Sequence, residues 1–295
     1  LMNALTILLA DWSGVAHQYV SSCDLRYLDE IINAHERTAE LSNTVIRRMH
    51  YLALRCPKLS AIYLPSCINS VHIKGLPKTI SSLDISSSNF LDDNSLRELS
   101  ERLPNLACLR MRGAMNITSE GVSHLIPGLK TLKSLDLSYG NPLISIPTLS
   151  ALTLLQCLDL SGNTMVTNKT LQSLPPSLRV LDVASCSAIS DSAFDSLTLP
   201  HLISLNVSFC FLITDRAIDT FATRFSFLQS LNLSCCAQIT DNGLTHLPSQ
   251  LVCLNLEGCM VSDLGMQAVG ALSKLEYLNL NLCEVTDIEI HRLQQ

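Results

Sequence analysis

The chain has 295 residues, of which 47% are hydrophobic and only 16% charged, with a formal net charge of −6 and a pI of about 5.7. So much apolar material supports an extended continuous core. An acidic chain whose only close basic pairs are Arg47-Arg48 and Arg110/Arg112 is poorly suited to offset phosphate charge, which argues against a nucleic-acid groove. There is no run of 18 apolar residues to suggest a membrane span.

Residues 1–58 carry helical periodicity and no repeat. The apolar run Leu5–Leu9 followed by Trp12 reads as a first helix. Leu25, Leu28, Ile31 and Ile32 fit an amphipathic second, and Val45, Met49 and Leu52 a third. The apolar start lacks a basic n-region, so it does not read as a signal peptide. The sequence begins at Leu1 rather than at Met, which leaves room for residues upstream. This leader is expected to cover the first strand of the array that follows, because an open apolar end would aggregate.

From Leu59 onward a pattern L-x-x-L-x-L-x-x-C returns ten times. Its units begin at Leu59, Ile80, Leu106, Leu132, Leu155, Leu178, Leu202, Leu228, Leu251 and Leu275, at intervals of 21 to 26 residues. Aliphatic residues or Met fill the first, fourth and sixth positions throughout. The alternation from fourth to sixth has the period of a strand. After the ninth position comes an aliphatic residue, Ser or Thr, then Asp, as in Ile213-Thr214-Asp215 and Ile239-Thr240-Asp241. Apolar pairs three residues apart follow, such as Ile218/Phe221 and Leu244/Leu247, and together these mark a helix start.

Each unit is therefore strand, turn and short helix. Stacking the units gives an α/β solenoid over residues 59–295: a parallel concave sheet, short convex helices, and a horseshoe outline. The unit at Leu132 is irregular. It has Gly140 at the ninth position, and the stretch after it lacks the Ser/Thr-Asp helix start. After the last strand one short helix remains. Further chain, a partner, or that helix itself would cover the C-terminal end.

The run C-x-x-I-[ST]-D joined to L-D-L-S or L-N-L-S resembles the cysteine-containing leucine-rich repeats, best known from F-box substrate receptors of cullin-type ubiquitin ligases. The resemblance covers about residues 59–295 and is strongest from Leu178. The units at Ile80, Leu106 and Leu155 depart from it, with Ser88, Ala114 and Asn163 at the ninth position. The leader lacks the Leu-Pro start of an F-box. The resemblance implies a protein-binding scaffold, and its link to the ligases stops at the repeats.

Six of the twelve cysteines, Cys67, Cys186, Cys210, Cys236, Cys259 and Cys283, occupy the ninth position. A small side chain there is expected to hydrogen-bond the turn of its own repeat. That points to free thiols in a reducing, cytoplasmic setting rather than to disulfides. No CxxC and no zinc spacing occurs. The histidines are dispersed, and neither HExxH, GxSxG nor a glycine-rich phosphate loop is present. The expectation is a chain with no catalytic residues, metal or cofactor.

Its function is expected to be non-catalytic binding of other proteins, as a structural subunit of a hetero-oligomeric assembly. The alternative is the substrate-recognition subunit of a cullin-type ligase. Candidate contact residues are Asp136, Asp159 and Asp182 at the outward fifth strand position, Tyr139, Phe209 and Leu282 at the eighth, and Tyr277 at the third. The seventh and eighth positions are both expected to face outward. Phe209 and Leu282 are large apolar residues where Ser or Gly would serve the fold, and exposed aromatics on a rigid surface are usual binding anchors.

Overall fold

A computed structural model describes residues 22–24, 58–64, 70–140 and 149–293. The fold is an α/β leucine-rich-repeat solenoid. The chain divides into two compact units, residues 1–141 and 142–295. The division falls within the irregular repeat that begins at Leu132.

The first unit contains parallel strands β1 (Ser22–Asp24), β2 (Ala61–Tyr63), β3 (Ser82–Asp84), β4 (Cys108–Arg110) and β5 (Ser134–Asp136). The second contains β6 (Cys157–Asp159), β7 (Val180–Asp182), β8 (Ser204–Asn206), β9 (Ser230–Asn232), β10 (Cys253–Asn255) and β11 (Tyr277–Asn279). Each strand has three residues and covers the third to fifth positions of its repeat. Pairing within each unit is in register, so third faces third and fourth faces fourth, as in Leu205↔Leu231 and Leu231↔Leu254.

β1 was not expected. It pairs with β2 through Ser22↔Ala61, Cys23↔Ile62 and Asp24↔Tyr63. Val20, Cys23 and Leu25 stand at the repeat's first, fourth and sixth positions, and the Cys in place of an aliphatic residue hid the match. The helices expected elsewhere in residues 1–58 lie outside the described residues.

Register dictates the core. In the first nine repeats every first, fourth and sixth position is buried, from Leu59, Ile62 and Leu64 to Leu251, Leu254 and Leu256. In the repeat beginning at Leu275, Leu275, Leu278 and Leu280 are only half-buried. A spine of rings runs through the second unit. Phe194 meets Phe221 edge-on at 4.9 Å, and Phe221 stacks on Phe225 at 5.9 Å.

The longest repeats carry the longest helices. The three 26-residue repeats carry the ten-residue helices Asp93–Arg102, Ser119–Gly128 and Asp215–Arg224. The shorter repeats make do with Asn168–Leu171, Asp241–Leu244 or the 3₁₀ turn Asp191–Ala193. Strand and turns are fixed by pairing, so extra residues are absorbed as helical turn at about 3.6 residues each.

The Ser/Thr-Asp signature does two jobs. Thr214 and Thr240 cap their helices through Oγ1, which accepts from Arg216 N–H and Asn242 N–H. The following Asp reaches onward to the next repeat. Asp215 accepts from Thr240 N–H at 2.8 Å and from its hydroxyl at 2.6 Å, and Asp93, Asp191, Asp241 and Asp263 do the same to Thr118, Thr214, Ser262 and Thr286. Gly243 makes room for this clasp, since a Cβ there would sit 2.4 Å from Asp215 Oδ1.

Leu231 is 1% exposed between Leu205 and Leu254. Leu231→Asp places an unpaired charge there, at a cost of several kcal/mol. The expected result is loss of a cooperative melt in the second unit, followed by circular dichroism. A melt identical to the parent's would show that the register is wrong.

Candidate functional site

The turn that ends each strand builds the site. In all nine described repeats with an eighth position, that residue is left-handed, from Tyr139 at φ 52° to Gly162 at φ 72°. Six of the nine are not glycine: Ser87, Tyr139, Ser185, Phe209, Cys235 and Leu282. A bond within the repeat closes the turn, as from Cys210 N–H to Val207 C=O at 3.1 Å and from Cys283 N–H to Leu280 C=O at 3.1 Å, and a following repeat braces it. Phe209 N–H donates to Ser234 C=O at 2.9 Å, and Gly258 N–H to Asn281 C=O at 2.9 Å. A non-glycine residue held there carries about 1 kcal/mol of backbone strain.

The fifth position holds the same turn from inside. Asp136 Oδ1 accepts from Ser138 N–H at 2.9 Å, Asp159 Oδ1 from Ser161 N–H at 2.8 Å, and Asp182 Oδ1 from Ala184 N–H at 2.9 Å. Asn206, Asn232, Asn255 and Asn279 repeat the bond. The three candidate aspartates are thus turn-holding groups, with Asp182 Oδ2 also accepting from Asn206. An Asp or Asn side chain bonding the backbone two residues on is a turn former in its own right.

The seventh position departs from expectation. Ser138, Ser161, Ala184, Ser208 and Ser234 are buried under the turn, not turned outward. The eighth position alone projects at each of these turns. Phe209 is 45% exposed, Tyr139 43% and Leu282 81%, while Tyr277 on the strand is 55% exposed. Phe209 and Leu282 lie three repeats apart, about 14 Å at sheet spacing. Between them the eighth position holds Cys235 and Gly258, so two large apolar groups bracket a low stretch.

Sequence reasoning missed an adjoining set. Phe211, Leu212 and Met260 are about half-exposed or more, one or two residues beyond the ninth position, and Phe90 and Met115 are placed likewise in the first unit. The signal was present in the apolar run Phe209-Cys210-Phe211-Leu212, where three apolar residues flank a buried one.

The cysteine ladder also differs from expectation. Each described sulfur of the ladder bonds the preceding repeat, and Cys283 Sγ also bonds its own turn, at Asn281 C=O and 3.8 Å. Cys186 Sγ donates to Leu160 C=O at 3.3 Å, Cys210 to Val183 at 3.2 Å, Cys236 to Val207 at 3.2 Å, Cys259 to Leu233 at 3.1 Å and Cys283 to Leu256 at 3.1 Å. Asn163 follows the expected pattern, donating to Leu160 C=O within its own repeat at 2.8 Å. Burial pushes the thiols up, Cys186 and Cys259 to about 12 and Cys210 to about 11. They are inert donors rather than nucleophiles. Among the described residues no group of three or more His, Cys, Asp or Glu is placed to hold a metal, and no helix is long and apolar enough to cross a membrane.

A family model described as "Leucine Rich repeat" matches residues 226–247. The chain has the leucine-rich-repeat fold, with cysteine at the ninth position of each repeat from Leu178 onward. No curated protein matches it in sequence. A chain in the crystal structure of the Rad7 and Elc1 complex in yeast is similar in fold, at 20% identity and a TM-score of 0.62, over 84% of this chain and 69% of that one. LegL7, a leucine-rich repeat-containing protein of Legionella pneumophila, shares 17% identity and a TM-score of 0.52, over 80% and 89%. An internalin of Listeria monocytogenes aligns at 21% identity and a TM-score of 0.48, over 81% and 79%. Such folds are typically scaffolds for protein–protein contact.

Two predictions concern the ladder. The buried thiols keep their protons to about pH 12, whereas an ordinary thiol releases its proton near 9. Their contribution to stability is therefore full below about pH 9 and is lost as pH rises toward about 12. Urea midpoints should hold steady from pH 7 to 8.5 and fall by pH 10.5, while a Cys186→Ala, Cys210→Ala, Cys259→Ala variant should show a shallower fall. Second, Ser88 occupies the ninth position with a buried hydroxyl that has no hydrogen-bond partner among the described residues. Ser88→Cys should reach toward Leu64 C=O and stabilise by about 0.5–1.5 kcal/mol. A lower midpoint in Ser88→Cys would count against the inter-repeat role of the ladder.

Proposed function

We propose that this chain is a non-catalytic protein-binding scaffold whose contact surface is the row of projecting turns in the second unit, with Phe209, Tyr277 and Leu282 as anchors. One observation carries the reading. The turn favours glycine, yet Phe209 and Leu282 occupy it in the left-handed region and stay exposed. Strain kept at an exposed apolar residue contributes nothing to folding, and anchoring a partner supplies a reason for it. Phe211, Leu212 and Met260 extend the same apolar edge. Tyr139 belongs to the first unit and acts separately.

On this reading the partners are proteins, with neither nucleic acid nor membrane bound directly, and the chain serves as a structural subunit of a larger assembly in a reducing, cytoplasmic compartment. The thiol donors of the ladder support that compartment. We further infer that residues 1–58 cover the start of the array over 59–295, a role supported by β1 lying along β2.

A second reading is a substrate-recognition subunit of a cullin-type ubiquitin ligase. The cysteine-containing repeat type favours it, as does fold similarity to a chain crystallised in a two-protein complex.

The test is affinity capture with the chain carrying Phe209→Gly, Tyr277→Ser and Leu282→Gly. Glycine relieves the strained turns, so folding should be retained, with a melting temperature no lower than the parent's. Partner recovery should fall at least about tenfold, equivalent to about 1.4 kcal/mol. Undiminished recovery would move the contact surface to the helices or to the first 58 residues. The identity of the recovered proteins separates the two readings: a stoichiometric large particle for the subunit, cullin-linker proteins for the receptor.

A further inference from the structure

One of the nine described turns lacks the fifth-position Asp or Asn that the other eight possess, and Tyr63 stands at that position in an earlier repeat. Asp84 Oδ1 accepts from Ser86 N–H at 3.0 Å, and Asp136 Oδ1 from Ser138 N–H at 2.9 Å. The repeat between them has Arg110 at the fifth position and Arg112 at the seventh. A guanidinium has no acceptor atom, so the Arg112 N–H goes without the carboxylate oxygen that the fold places at this point in neighbouring repeats.

Two guanidinium groups stand beside that N–H, with the Asp84 and Asp136 carboxylates on either side of Arg110. Arg110 and Arg112 are both exposed, and neither forms an ion pair among the described residues. Arg110 stands in register between Asp84 and Asp136, but each of those carboxylates has committed one oxygen to its own turn. The Arg112 guanidinium lies 4.4 Å over the ring of Tyr139. Tyr139 is itself a left-handed, exposed residue at φ 52°. Stacking holds the plane of the guanidinium while leaving its N–H edge able to donate.

We propose that this turn receives a single carboxylate, an Asp or Glu side chain of a partner protein. One oxygen takes the Arg112 N–H in place of the missing turn aspartate, and Arg110 and Arg112 supply charge-assisted bonds. A carboxylate is favoured over a phosphate because Asp84 and Asp136 flank the turn, and a doubly charged group meets more repulsion from them than a singly charged one. Loss of the turn's own acceptor is a departure from the pattern of the fold that a binding role accounts for. The proposal rests on the chain being a protein-binding module, but it uses none of the anchors of the second unit.

The experiment is a titration of the ¹⁵N-labelled full chain with the peptide Ac-Gly-Asp-Gly-NH₂, with Ac-Gly-Asn-Gly-NH₂ and inorganic phosphate in parallel. The expected result is saturable shifts of the Arg112 amide and of the Arg110 and Arg112 Nε–H signals with the Asp peptide, and at least about tenfold weaker response to the other two. Arg110→Asp restores the turn's own acceptor. It should abolish the shifts and raise the melting temperature by about 1–3 °C. Equal response to the Asn peptide, stronger response to phosphate, or shifts that persist in Arg110→Asp would overturn the proposal. The parent titration decides the matter even where the variant folds poorly. Failure here leaves the Phe209–Leu282 row untouched, and failure of the capture experiment leaves this result untouched.

Discussion

In-register parallel pairing of three-residue strands is the constraint from which the other features follow. A strand this short has no independent stability, and the sixth and eighth amides after it find their acceptors in the next repeat, as Val207 N–H does in Asn232 C=O and Phe209 N–H in Ser234 C=O. Leu83, Leu109 and Leu135 face one another because their strands pair without offset. The same zero offset lines up fifth, eighth and ninth positions, so any residue type repeated there becomes a ladder. Stability in such an array resides in neighbour contacts, which is why a change at Leu231 is expected to spread beyond its own repeat.

Three ladders clasp the repeats at different depths. The buried cysteine sulfurs donate to sixth-position carbonyls of the preceding repeat. The helix-start aspartates clasp the Ser or Thr of the next repeat. The fifth-position Asp and Asn hold turns within a repeat and leave the eighth residue to project. Function is then open to whatever the sequence places at the few positions these bonds leave unoccupied. Those are the third and eighth positions and the residues just past the ninth. Tyr277, Phe209, Leu282, Phe211 and Met260 all fall there. The Arg110/Arg112 turn differs in kind, because a residue needed by the fold has itself been replaced.

The fold was readable because its signal is periodic. Thirty aliphatic or Met slots at fixed spacing name a leucine-rich repeat with no knowledge of contacts, and the burial of Leu59 through Leu256 at those slots follows. Ser22–Asp24 escaped notice because one Cys breaks the pattern, and strand pairing does not demand an aliphatic residue at every slot. Of the candidate contact residues, Phe209 and Leu282 stood out as large side chains among Ser and Gly. Asp136, Asp159 and Asp182 stood out only as a charge row, and their turn-holding bonds depend on backbone direction, which spacing does not carry.

By itself, the sequence determined the repeat, its register and the buried positions, because all three are set by local spacing and hydrophobicity. Tertiary structure decided where each side chain's hydrogen bonds go. The cysteines looked local and proved to bridge repeats, since the carbonyl nearest each sulfur belongs to the preceding repeat. The seventh position looked exposed and is buried at Ser138, Ser161, Ala184, Ser208 and Ser234, where the side chain is small enough to fit under the turn, while Arg112 and Asn281 at the same position are exposed. That left-handed geometry belongs to a tight turn closed within the repeat, by Cys210 N–H donating to Val207 C=O and Cys283 N–H to Leu280 C=O, each at 3.1 Å. It turns a large residue at position 209 or 282 from an ordinary surface side chain into a strained and projecting one.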